Sequence, residues 1–116
     1  MPVQIIKDNF SNNELADIAK KQFGDFVKAV VDVEQGITAI GAELHADEES
    51  ALLKQGSRQK DLWGINIYPG KSGDERVAFN SMVNIRPSQG NRSRDVEDAG
   101  IREKIKAIVS KLMPMP

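Results

Sequence analysis

The 116-residue chain contains no cysteine, so it can form no disulfide, no thiol nucleophile and no Cys-based metal site, and a reducing, cytoplasmic setting is expected. It has one histidine, His45. Zinc sites built on several imidazoles are therefore out of reach, and no serine has a nearby His and Asp from which a nucleophilic triad can be read. Neither sign of charge dominates: 16 basic residues stand against 17 acidic ones, for a formal charge of -1. Nothing drives the chain as a whole towards polyanions, and nucleic acid is not expected as a general partner, although Arg86, Arg92 and Arg94 could form a local basic patch. No run approaches the ~18 apolar residues of a membrane span, and Met1 to Asp8 lacks the basic-then-apolar plan of a signal peptide. A soluble, unprocessed protein with no membrane partner is expected.

The length suits one domain of roughly 100 to 150 residues, spanning residues 1–116. Ser11-Asn12-Asn13-Glu14 reads as a capping box, with Phe10 and Leu15 placed as a hydrophobic staple. Leu15, Ile18, Ala19 and Phe23 recur at helical spacing before Gly24. Period two then takes over, predicting strands over Phe26 to Glu34 and Ile37 to His45 joined by Gln35-Gly36. Pairing Glu34 with Ile37 sets Asp32 opposite Ala39 and Lys28 opposite Glu43. Val27, Ala29, Val31, Val33, Ile40, Ala42 and Leu44 then share an apolar face, and Lys28, Asp32, Glu34, Glu43 and His45 a polar one.

Asp47-Glu48-Glu49 predicts a short helix closing near Gly56. Leu62 to Pro69 and Arg76 to Pro87 read as two more strands, returning through the Gly-rich loop Pro69 to Asp74. Trp63, Ile65, Ile67, Val77, Phe79, Val83 and Ile85 would face the core, with Asn66, Tyr68, Asn80, Asn84 and Arg86 opposite. Gly64 would admit a close backbone approach. Asp98 can cap a last helix striped by Ile101, Ile105, Ile108, Val109 and Leu112. Helix, two strands, short helix, two strands, helix predicts an α+β fold, a single antiparallel sheet of about four strands with helices on one face and a polar opposite face.

Two constellations carry chemistry. The segment Val83 to Arg94 is a strand ended by Pro87 and followed by a loop in which Arg86, Ser88, Gln89, Asn91, Arg92 and Arg94 can cradle a phosphate or carboxylate through charge-assisted bonds. The plainer reading is a loop stitched to its own backbone, since Asn and Ser also dominate turns. In Glu43-Leu44-His45-Ala46-Asp47, alternation on a strand would point the three titratable groups the same way, as metal ligands or as a base, His45, helped by Glu43 or Asp32. The plainer reading has Lys28 pairing with Glu43 and Asp47 capping the next helix.

Ala39 to Asp47, Gly56-Ser57 through Asp61 to Pro69, and Ser81 to Arg94 together resemble an uncharacterised family of small prokaryotic proteins, a domain of unknown function. The resemblance spans nearly the whole chain and implies no catalytic residue or cofactor. The leading expectation is a binding domain for an anionic small molecule or acidic segment, using Asn66, Tyr68, Asn84, Arg86 and the Arg86 to Arg94 loop. A hydrolase built on His45 with Glu43 or Asp32, and a homo-oligomer paired through the polar face, are the alternatives.

Overall fold

The structure, a computed structural model, describes residues 2–115. Its elements are β1 (Gln4–Ile6), α1 (Asn12–Lys21), β2 (Val27–Asp32), β3 (Ile37–Ile40), α2 (His45–Lys54), β4 (Leu62–Ile67), β5 (Val77–Ala78) and α3 (Ala99–Leu112), with single 3-10 turns between them. The strands form one antiparallel five-stranded sheet in the order β1-β3-β2-β4-β5. The α+β class and the single antiparallel sheet agree with expectation. The three-residue edge strand β1 is additional and too short to leave a period in the sequence.

The caps read from sequence are present: Ser11 Oγ accepts from Glu14 N at 3.0 Å, and Asp98 Oδ1 from Ile101 N at 3.0 Å. Both capped helices lie on one sheet face. There Leu15, Ile18, Ile105, Val109 and Leu112 pack against Val27, Ala29, Val31, Trp63, Ile65 and Ile67. Each such side chain taken fully from water contributes about 1.5–3 kcal/mol, which makes this the principal core.

Helix α2 takes the other face. Its Leu52 joins Val30, Ile37, Ala39 and Leu62 in a smaller cluster. The face expected to be polar and open is therefore apolar and covered at the end near the β2–β3 turn, because Val30, Ile37 and Ala39 stand among its charged residues.

Three further elements depart from the expected pattern. The β2–β3 turn spans residues 33–36 and Asp32 pairs with Ile37, a shift of two residues from the expected register. Asp32 causes it: Oδ1 accepts from Glu34 N and Gln35 N, both at 2.9 Å, winding the turn around the side chain. β3 stops at Ile40 because Gly41 sits at φ 102, where a Cβ would lie 2.7 Å from the Pro2 carbonyl oxygen. His45 thus opens α2 instead of ending a strand. Finally, the expected strand from Arg76 to Pro87 shrinks to Val77–Ala78 followed by 3-10 turns at Met82–Asn84 and Pro87–Gln89.

Candidate functional site

Gly64 explains the shortened strand. A Cβ there would lie 2.6 Å from Ser81 Oγ and 2.9 Å from Val83 Cγ2, so the 3-10 segment rides directly over the glycine. The fully buried Asn84 side chain substitutes for a neighbouring strand: Oδ1 accepts from Gly64 N at 2.7 Å and Nδ2 donates to Gly64 O at 2.9 Å.

The same segment binds itself together. Arg86, expected as the anion-holding arm, is buried; its guanidinium lies 4.4 Å from the Trp63 ring centroid and donates to the carbonyls of Val83, Gln59 and Leu62. Gln89 Oε1 accepts another of its hydrogens at 3.3 Å. Asn91 Nδ2 donates to the carbonyls of Asn84, Ser93 and Asp95, while its Oδ1 accepts from Glu97 N. One carboxylate oxygen of Glu97 accepts from Arg92 N, Ser93 N and Ser93 Oγ at 2.8–2.9 Å, and these bonds hold its carboxyl below the usual range. The loop does cradle an anion, and the anion is its own Glu97. Arg86, Asn84 and Asn91 are thereby committed to architecture, Ser88 and Arg92 are exposed at the rim, and Arg94 Nε bonds the Asn80 side-chain oxygen at 2.8 Å.

Asp32 is also spent. It is 1 % exposed, and its second oxygen accepts from Ser57 Oγ at 2.6 Å and Gln35 Nε2 at 2.9 Å. Glu43 is exposed on the segment between β3 and α2, so neither acid expected beside His45 is bonded to it.

What gathers around His45 is a different set. The first turn of α2 crosses the β2–β4 pair where Lys28 stands opposite Asn66. His45 Nε2 meets the Ile65 carbonyl at 2.8 Å, which assigns the proton to Nε2 and leaves Nδ1 as an acceptor. Burial pushes the imidazole below its ordinary pKa, and the Lys28 and Arg94 charges push the same way against the Ile65 carbonyl and the Asn66 amide. Asn66 lies close enough to act on the ring without a well-formed bond, and its Oδ1 is buried with no partner.

One helical turn on, at a spacing of three, Glu48 is fully buried. Its Oε2 accepts from Ala42 N at 3.2 Å and its Oε1 has no partner. Burial drives its pKa up to about 9, against the Ala42 amide and the Lys28 charge, so it carries its proton at neutral pH. Sequence reading missed Glu48 because an acid in the first turn of a helix is an ordinary dipole partner. Its spacing from His45 was the available signal, once His45 is placed on the helix.

The arrangement thus combines a neutral imidazole with a free lone pair, a protonated carboxyl, an unpartnered amide oxygen and two nearby cations. Among the described residues neither Lys28 nor Arg94 forms an ion pair. Of these groups, the protonated Glu48 carboxyl, the Asn66 amide hydrogens and the two cations can donate to an anion, whereas the Nδ1 lone pair and the Asn66 oxygen can only accept. Gln22 Oε1, Thr38 Oγ1, Glu49 Oε2, Trp63 Nε1 and Arg76 Nε are likewise buried without partners, so what distinguishes this crossing is the company of two unpaired cations.

Fold and site together define a small α+β protein with a polar crossing of helix over sheet. Residues 4–112 match the family model described as a protein of unknown function (DUF5674), and the chain belongs to that family. No curated protein and no solved structure gives a significant match to it. Among the described residues, no helix is long and apolar enough to cross a membrane.

Proposed function

We propose that this protein is a cytoplasmic binding module for an anionic small molecule, held where the first turn of α2 crosses β2 and β4. Lys28 and Arg94 supply the charge; the Asn66 amide hydrogens and the protonated Glu48 carboxyl are hydrogen-bond donors beside them. The observation that supports this reading is that Lys28, opposite Asn66 in the sheet, and Arg94, whose charge acts on His45, have no acidic partner among the described residues, with the protonated Glu48 carboxyl buried one helical turn from His45. Cations that already had acidic partners would offer an anion little, whereas unpaired ones focused by a low-dielectric wall attract it. A chain without cysteine needs no oxidising compartment, which agrees with the cytoplasmic setting.

Thermal unfolding of the wild type against inorganic phosphate, pyrophosphate and citrate is the test, because a ligand that binds only the native state raises the midpoint. An increase that is lost in Lys28→Ala and weakened in Arg94→Ala is the expected result. No increase with any of the three anions, or one that survives both substitutions, would overturn the reading.

A further inference from the structure

Just past Val27 and Ile67, the last β2–β4 pair, Phe26 and Tyr68 bring their rings to 5.5 Å at an inclination of 40°. Phe23 stacks on Phe26 at 4.8 Å with 9° between the planes. Of the six aromatic residues in the chain, these three make up a partly exposed row outside both hydrophobic clusters. A lysine caps each end: Lys28 Nζ is 4.9 Å from the Phe23 centroid and Lys71 Nζ 4.6 Å from that of Tyr68. Among the described residues, neither lysine has an acidic partner.

The rings are partly exposed, and the outer faces of Phe23 and Tyr68 are covered by the two lysine side chains. The caps are weakly held. A lysine over a ring at an exposed site contributes about 0.5–1 kcal/mol, while a stacked base contributes about 1–3 kcal/mol. A planar base can therefore displace the Lys71 side chain from the Tyr68 face, and the released ammonium remains within reach of a phosphate on the same ligand. Lys28 joins the two halves, since its charge acts on His45 and Glu48 while its side chain lies over Phe23.

We infer that the ligand of this face is a nucleotide, its base stacked on the Phe23–Phe26–Tyr68 row and its phosphate drawn to Lys28 and Arg94. The inference rests on the proposed anion site and adds the aromatic half to it. Charge complementarity selects the class. Apolar aromatics would leave the two lysines and Arg94 without counter-charge, and inorganic anions would leave the rings bare.

Midpoints of thermal unfolding in the presence of AMP, GMP, CMP and UMP, each compared with ribose 5-phosphate, test it. At least one nucleotide is expected to raise the midpoint by about 5 °C or more well above its Kd, and ribose 5-phosphate by clearly less. Tyr68→Leu and Phe26→Leu should reduce the nucleotide response to the ribose 5-phosphate level. Aromatic carbon–proton NMR spectra of the wild type give a readout that needs no variant: nucleotides, but not ribose 5-phosphate, should move the Phe23, Phe26 and Tyr68 ring signals. Equal responses to nucleotide and ribose 5-phosphate, with still ring signals, would overturn the base-stacking inference and leave the anion site standing. No response to any phosphate would overturn both.

Discussion

Two polar regions lie within one small fold, and they differ in how completely their hydrogen bonds are answered. Between Asn84 and Glu97, the buried side chains of Asn84, Arg86 and Asn91 meet partners from the chain itself, and the Glu97 carboxylate is held by the Arg92 and Ser93 amides. Under α2, Asn66 Oδ1 and Glu48 Oε1 are buried without partners, and Lys28 has no counter-ion among the described residues. Richness in Arg, Asn and Ser is thus a poor guide to binding. A satisfied network rigidifies, whereas an unsatisfied one either costs stability for nothing or is completed by something else.

The sharpest way to break this comparison is Arg86→Ala. If the loop is architecture, the loss strands the buried Leu62 carbonyl and the partly buried carbonyls of Val83 and Gln59 and empties the space over Trp63, at a cost of about 4 kcal/mol in chemical denaturation. Arg86→Lys should rescue little of it, because an ammonium lacks the planar fork that reaches carbonyls in different directions. A variant as stable as wild type would show that Arg86 is free for another role. Gly64→Ala probes the same region from below. The added methyl would meet Ser81 and Val83 well inside contact distance, and we expect a loss of about 2–3 kcal/mol with the secondary structure retained by circular dichroism.

Glu48→Gln probes the other region, and its sign is opposite. Burial raises the folded-state pKa from 4.5 to about 9, so this group supports the fold fully below pH 4.5 and loses that support as pH rises towards 9. At neutral pH the penalty has a ceiling of roughly 3 kcal/mol, at 1.36 kcal/mol per pKa unit. The amide removes the titration but still needs partners, so a gain of about 2 kcal/mol is expected at pH 7, shrinking to nothing near pH 4. Parallel stability curves for wild type and variant across this range would show that Glu48 is not buried as described.

How much of this was legible in the sequence depends on whether a residue's role is decided locally. The Ser11 and Asp98 caps, the α3 stripe and the inward alternation of Trp63, Ile65 and Ile67 are local matters, and they read correctly. The ends of strands were not legible. Gly41 stops β3 through a close approach to Pro2, and Gly64 shortens β5 through contact with Ser81 and Val83; both encounters join segments distant in sequence. The site inherits these errors. Placing His45 on a strand pointed to Glu43 and Asp32 as its companions, whereas on α2 it is three residues from Glu48 and feels the Asn66 amide and the Lys28 and Arg94 charges. Arg86 was read as an open arm because nothing in Val83 to Arg94 reveals that carbonyls from residues 59 and 62 are waiting for it.

The smallest expected effect on stability sharpens the comparison most. Lys28→Ala removes a half-buried side chain whose contacts are one ring face and the fields of two neutral groups, so unfolding should change by no more than about 1 kcal/mol. Its field currently helps hold His45 uncharged and lowers the Glu48 pKa. In the variant both pKa values should rise, which titration of the His45 ring signals by NMR can follow directly. Stability nearly unchanged, a His45 titration moved upward and an anion response abolished would together mark Lys28 as a residue kept for binding, in contrast to Arg86, which is kept for the fold. A large loss of stability would instead place Lys28 with Arg86, and the distinction between a satisfied loop and an unfinished site would have to be drawn elsewhere.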